Sequence, residues 1–418
     1  MQFKVSADSE IGKLQGVIIH TPGPEVENMT PKNVERALYS DILNLSVARE
    51  EYSQLNGVLK KVATTFEVKD LLRETMLIEQ ARKQLIKSVC SDNPRMSERL
   101  EEMNNEDLAR TLIEGLENER NNLTRYLSKE KFDLPPLHNF FFTRDSAMVV
   151  NSYTLIARMA NKVRQRETEI MKSIFTSHPG FSTRLVDPLD FTDDPDRCTI
   201  EGGDMLQPGK NVIIIGNGCR TSTEGIDSVI EIVKKHSKGK FHIIVQELPY
   251  TPESFIHLDM VFTILDRDKY MAFEPLILKL NKYQTVHIVI DNNRVDSISD
   301  VKDIPTALSR LGMEMEGVKC GGNNDPWIME REQWHSGANF FALAPGKLIG
   351  YSRNNHTIEE LSAHGFEIIQ ARDVISGKCH PDDYKRCVIG IDGSELPRGG
   401  GGARCMTMPV SRLPLEES

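Results

Sequence analysis

Short apolar stretches recur along the chain in pairs, each pair followed by a polar loop, a run with helical spacing and then a further apolar stretch. The clearest copy has Asp204 to Lys210, then Val212-Ile213-Ile214-Ile215-Gly216, a helical pattern from about Thr223 to His236, and His242-Ile243-Ile244-Val245. A second has Phe340 to Lys347, Leu348-Ile349-Gly350-Tyr351, a helical pattern near Thr357 to Ala363, and Phe366-Glu367-Ile368-Ile369. Both carry Pro-Gly-Lys between the first two strands, which makes the repeat visible. Looser copies begin near Ala147, with a helix from about Glu167 to Phe175, and near Met260, with a helix near Leu276. Val17-Ile18-Ile19-His20 and a helix near Val47 to Val62 form a fifth candidate.

Each unit, strand-strand-helix-strand, leaves an apolar face uncovered, so the units are expected to pack around a common centre with strand ends facing a shared cavity. This predicts an α/β fold in one domain over residues 1–418. The segment 73–129 breaks the pattern: it is charged, helical by periodicity and nearly free of strand signals, so it reads as a helical insert ended by Pro135-Pro136.

Composition narrows the partners. Lys and Arg number 51 against 61 Asp and Glu, a formal net charge of -10, which disfavours nucleic acid and permits a small cationic substrate. The N-terminus lacks the apolar stretch of a signal peptide and no long uncharged apolar run occurs, which predicts a soluble, cytoplasmic protein with no membrane partner. Seven scattered cysteines without a CxxC pair predict reduced thiols and no metal site, and Cys379-His380-Pro381-Asp382 reads as a loop.

One cysteine has an odd setting. Cys405 closes Arg398-Gly399-Gly400-Gly401-Gly402-Ala403-Arg404-Cys405, where glycines admit close approach of a ligand, and this points to a nucleophile. Three short motifs precede the apolar pairs of other units: Phe142-Thr143-Arg144-Asp145, Glu201-Gly202-Gly203-Asp204 and His257-Leu258-Asp259. Alone, each is as compatible with a salt bridge or a turn as with catalysis. Equivalent edges of a cyclic fold converge, however, and would bring Asp145, Glu201, Asp259, His257 and Cys405 into one pocket.

Clustered acids repel one another and keep a neighbouring thiol protonated until a cation enters. A guanidinium fits that need, being planar, permanently charged and able to bind two carboxylates bidentately. Its central carbon would face the sulfur, and His257 would protonate departing ammonia and then take a proton from water.

In this order the motifs, together with Glu10-Ile11-Gly12-Lys13-Leu14, Asn139, Arg331-Glu332-Gln333-Trp334 and the terminal Arg404-Cys405-Met406-Thr407-Met408-Pro409, resemble the arginine deiminases of the guanidino-group modifying (pentein) superfamily. The resemblance spans nearly the whole chain. It implies a five-bladed, pseudo-symmetric α/β propeller of ββαβ modules, hydrolysis of free L-arginine to L-citrulline and ammonia, no cofactor and a homo-oligomer. By motif position it implies Cys405 as nucleophile, His257 as acid/base, Asp145 and Asp259 as holders of the guanidinium, and Glu201 as support for the histidine and substrate. Arg164 and Arg220 match arginines that bind the substrate carboxylate, with Asn139 assisting. Arg398 is expected to close over the pocket with its loop, the alternative being a plain surface arginine. Thr21 and Ser336-Gly337 depart from the family pattern away from the reacting carbon, and the unbroken run Gly399 to Gly402 suggests a mobile gate. Amidino transfer to an amine, and arginine binding without turnover, are the competing functions.

Overall fold

A computed structural model describes residues 3–30, 39–90, 93–322 and 325–415 of the chain. Four antiparallel hairpins recur, Ala147–Val150 with Tyr153–Ile156, Met205–Gly209 with Val212–Asn217, Phe262–Asp266 with Lys269–Ala272, and Phe341–Ala344 with Lys347–Tyr351. In each, the second strand pairs in parallel with a later one: Arg184–Val186, Phe241–Glu247, Glu316–Lys319 and Cys387–Ile391 respectively. Parallel neighbours need a crossover. The helices Gln165–Ser177, Thr223–His236, Ile304–Arg310 and Asn355–Ala363 supply it.

The fifth unit is built from both ends of the chain. Met408–Arg412 runs antiparallel to Leu14–Ile19, which pairs in parallel with Thr64–Glu67 after the helix Leu45–Val62. That helix starts where Asn44 accepts the backbone N–H groups of Ser46 and Val47, leaving few bare donors at its first turn. Its apolar face, Ala48, Tyr52, Leu55 and Leu59, is fully buried. Cys405 thus stands just ahead of the strand that completes this unit.

The shared Pro-Gly-Lys does not mark equivalent turns. Gly209 pairs with Val212, so Lys210 and Asn211 form the tip of one hairpin, whereas Ala344 pairs with Lys347 and the tip is Pro345-Gly346. Gly346 has φ +69°, a conformation that costs a residue with Cβ. Among the described residues the five sheets remain separate, and none closes on itself.

The expected insert contains the helices Val68–Thr75, Glu79–Cys90, Pro94–Glu101, Asn105–Glu114 and Leu123–Tyr126. Its first helix starts before residue 73, and Leu116–Glu117 pairs with Phe132–Leu134 at its end, a strand pair too short to give an alternating signal. Residues 91–92 of that expectation lie outside the described ones. Leu72, Leu85, Leu100 and Leu112 pack with Ile170 and Ile174 of the crossover helix of the next unit. Among the described residues no helix is long and apolar enough to cross a membrane.

Candidate active site

Short 3₁₀ turns precede three of the hairpins: Thr143–Asp145, Gly202–Asp204 and Leu258–Met260. They lie against one another, so the convergence expected from the repeat places their side chains in one region. Gly203 is required there, because a Cβ would lie 2.5 Å from His257 Nδ1.

The approach to Cys405 is held from two sides. Glu51, buried on the Leu45–Val62 helix, accepts backbone N–H groups of Ser394, Glu395 and Leu396 at 2.5, 3.1 and 2.9 Å. Further on, Gly399 and Gly401 abut Phe142, and Gly402 abuts Asn339: a Cβ would fall 2.6 Å from the Phe142 ring at Gly401 and 2.7 Å from Asn339 Oδ1 at Gly402. The absent side chains therefore serve tight packing rather than the looseness expected of a gate. Gly400 alone of these faces open space, with φ +86°.

Cys405 is 3% exposed, and its Sγ lies 3.6 and 3.8 Å from the two carboxylate oxygens of Asp259. Asp259 is oriented by Arg404, whose Nη1 donates at 2.8 Å while Nη2 and Nε donate to Glu10 at 2.9 and 3.1 Å. Arg144 clamps the same peptide, its backbone N–H donating to the Cys405 carbonyl at 3.1 Å and its Nε to the Arg404 carbonyl at 3.3 Å.

On the facing side, His257 Nε2 and Glu201 Oε2 are 2.9 Å apart, leaving His257 Nδ1 3.7 Å from Asp145 Oδ1. The Glu201, Asp145 and His257 ligand atoms lie within 4.8 Å of one another, a spacing that also suits a metal ion, but the His257 nitrogen nearest Glu201 is already committed to a hydrogen bond. Arg164 binds Glu167 through two nitrogens at 3.0 and 2.8 Å and donates from Nη1 to Asp145 Oδ2 at 2.7 Å. Having committed its donors in this way, Arg164 orients Asp145. It still lines the cavity expected to take the substrate carboxylate.

Cys405, His257, Asp145, Arg220, Asn139 and Arg164 all line one narrow cavity of about 20 Å³, with Glu201 and Asp259 buried behind. Arg398 is not brought in. Its Nη1 meets Asp41 at 2.6 Å and its side chain is 42% exposed, so the surface alternative describes it in this structure. Cys219 lines an adjoining outer cavity with Arg220.

Charge is distributed unequally among the buried groups. Burial alone would push Glu201 up, but Arg220, His257 and Arg164 hold it down to about 2, in place of the mutual repulsion expected among the acids. Burial would likewise depress His257, yet Asp145, Glu201 and Asp204 raise it from 6.5 to about 9. Cys405 is pushed well above an ordinary thiol by burial and by Asp259 and Asp145. The resting site accordingly pairs a neutral thiol with an imidazolium.

Two pH effects follow from these directions. Thiolate absorbance should be lacking from the free protein at neutral pH and emerge when a guanidinium ligand is bound; a thiolate already present in the empty site would refute substrate-assisted ionisation. His257 is raised on folding, so its contribution to stability is complete below 6.5 and is lost as pH climbs through about 9, where kcat/KM should fall as the general acid deprotonates.

Asn339, Arg404, Glu10 and Glu51 were given no role from sequence. Asn339 was the most accessible of them, since it stands two residues before the hairpin Phe341–Ala344, as Asp145 does before Ala147–Val150.

A family model described as arginine deiminase matches residues 35–412. The chain belongs to the arginine deiminase family. A relative named arginine deiminase from Listeria welshimeri is 31% identical over 433 residues, covering 99% of both chains. The family's fold extends to distant solved structures. An amidinotransferase of the saxitoxin biosynthetic pathway from Microseira wollei superposes with a TM-score of 0.53 at 13% identity, over 99% of each chain. A mutant DDAH from Pseudomonas aeruginosa, complexed with citrulline, gives 0.51 at 15% identity over 95% of this chain and 99% of that one. At such identities these two carry the mixed α/β fold alone. The deiminase family's match, by contrast, takes in all nine residues singled out from the motifs.

Proposed function

We propose that the protein hydrolyses free L-arginine to L-citrulline and ammonia through a covalent intermediate on Cys405. One observation carries this beyond family membership: Asp145 Oδ1 and Arg220 Nη1, both buried and lining the cavity of Cys405, make no hydrogen bond. A buried acceptor and a buried donor with ionic neighbours beyond hydrogen-bond distance, at 3.7 Å for Asp145 and 3.8 Å for Arg220, are costly unless a ligand completes them. A guanidinium at one end and a carboxylate at the other would complete both.

Bound between Asp145 and Asp259, the guanidinium offsets the negative charge that keeps Cys405 protonated, the thiol proton passes to solvent, and the thiolate attacks the guanidinium carbon. His257 gives its proton to the departing nitrogen, the carbon–nitrogen bond breaks, and ammonia leaves an S-alkylthiouronium. A water then loses a proton to His257 and attacks the same carbon, and the carbon–sulfur bond breaks to release thiolate and citrulline, the remaining hydroxyl proton returning to the sulfur. Glu201 holds the imidazole through Nε2 and stabilises its cationic form, and Arg220 takes the substrate carboxylate with Asn139 beside it.

The units are read as five blades of a pseudo-symmetric propeller in one domain over 1–418, carrying the insert 73–129. The five separate sheets and the unit shared by both chain ends support that arrangement. A homo-oligomer and a cytoplasmic location complete the proposal, on the family resemblance.

Incubation with arginine, agmatine, a methylated arginine and a peptidyl arginine tests substrate and chemistry together. Citrulline and ammonia should form from arginine without an added amine, and agmatine, lacking the carboxylate, should react far more slowly. Ornithine appearing only with an amine acceptor would establish amidino transfer instead.

A further inference from the structure

The side-chain amide of Asn339 is satisfied at every position, and the pattern fixes which way it faces. Its Oδ1 accepts the backbone N–H of Arg404 at 2.9 Å and, more loosely, that of Cys405 at 3.3 Å. Both of those groups can only donate, so the oxygen must face them. Nδ2 is then directed to the other side, where it donates to the Asp259 carbonyl at 3.1 Å and to Cys405 Sγ at 3.2 Å, with Met260 Sδ further off at 3.7 Å. Asn339 is 1% exposed, so its donors are well shielded from bulk water.

We propose that Asn339 is a catalytic residue that holds the Cys405 thiolate through the Nδ2–Sγ hydrogen bond, an inference that rests on Cys405 being the nucleophile. The other side chain recorded within hydrogen-bonding distance of the sulfur is the Asp259 carboxylate, which accepts from a thiol and repels a thiolate. Asn339 supplies the opposite bias. It keeps both of its protons throughout and gains strength as a donor when the sulfur becomes anionic, which happens once the guanidinium is bound and again when citrulline leaves. Because Oδ1 also ties the Arg404 and Cys405 backbone, the same amide aims the sulfur and stabilises its charge. A neutral amide serves the sulfur without adding a further charge beside Asp145 and Asp259, which Arg164 and Arg404 already contact.

Asn339→Asp keeps the acceptor for the two backbone groups, removes the donor to sulfur and places an oxygen against it. The expected result is a loss of roughly a hundredfold in kcat without a rise in KM, the weight of a hydrogen bond to a charged group plus the added repulsion. Thiolate absorbance in the guanidinium complex should appear at a pH at least about one unit higher than in the wild-type protein. As pH is lowered, the new carboxyl protonates and can donate to sulfur, so the relative defect should shrink; a purely structural role would not follow pH in this way. A variant within about threefold of wild type in kcat, with an unshifted thiolate titration, overturns the proposal. If Asn339→Asp and Asn339→Ala both fail to fold, a crystal structure of the wild-type protein with guanidine decides: Nδ2 within hydrogen-bonding distance of Sγ supports the assignment and a separation beyond about 4 Å overturns it. Cys405→Ala run alongside separates the two claims, because an active Cys405→Ala protein removes the nucleophile itself, whereas an inactive one beside an unaffected Asn339→Asp removes this proposal alone.

Discussion

Cys405→Ala should lose citrulline formation by on the order of 10⁴-fold or more while still binding arginine. Among the described residues lining the cavity the sulfur belongs to the one thiol, and neither His257 nor Asp145 beside it can form the thiouronium in its place. Binding should persist because the groups proposed to hold the two ends of arginine, Asp145, Asp259 and Arg220, lie on other units and do not depend on sulfur for their position. Asp259, for instance, stays fixed by Arg404 at 2.8 Å. Steady-state citrulline assays and calorimetric titration of arginine measure the two halves. Residual turnover above about one per cent of wild type would refute covalent catalysis at this position.

The second large effect concerns folding. Glu10→Gln should destabilise the protein by about 3–5 kcal/mol, the usual consequence of removing one partner from a buried ion pair. Three arginines, Arg404, Arg144 and Arg412, surround the region, and burial brings Arg144 down to about 9 and Arg412 to about 10, so each is costly to keep charged. Burial works against Glu10 too, but Arg404, Arg144 and Arg412 together lower it to about 2. With the charge of Glu10 gone, Asp259 faces the cluster unaided, and Arg404 loses one of its two hydrogen bonds to this side chain, where the new amide nitrogen has only donors to offer. The carboxylate is depressed on folding, so the stabilisation is present above 4.5 and fades as pH falls toward about 2. Urea unfolding at neutral pH is the appropriate measurement, since guanidinium would compete for the site. A change below about 1 kcal/mol would mean that the cluster relaxes around the missing charge.

This cluster also explains a limit of reading the chain residue by residue. Glu10 and Arg404 both fall in stretches that carry the family resemblance, but nothing local couples positions near opposite ends of the chain. Asn339 was closer to reach: a repeat that yields Asp145 and Asp259 ahead of their hairpins predicts some polar residue at the same place ahead of Phe341–Ala344. It was passed over because an uncharged amide gives no chemical signal alone. Arg164 and Arg398 show a different limit. Spacing from a motif or from a glycine run brings an arginine to the right neighbourhood, but its five donors go to whichever acceptors are nearest. Glu167, three residues along the helix, and Asp145 claim Arg164, while Asp41 claims Arg398.

Local sequence was sufficient for whatever depends on neighbours a few residues apart. The helix Thr223–His236, the strand and helix order of each unit, and the motifs placing an acid or histidine at the start of three hairpins follow from period and turn chemistry. Tertiary structure alone decided the rest: the pairing of Met408–Arg412 with Leu14–Ile19, the filling of the glycine run by Phe142 and Asn339, and the meeting of Glu10 with Arg404 beside Asp259. Those outcomes depend on distance through space and on exclusion of water, and neither quantity is written in the order of residues.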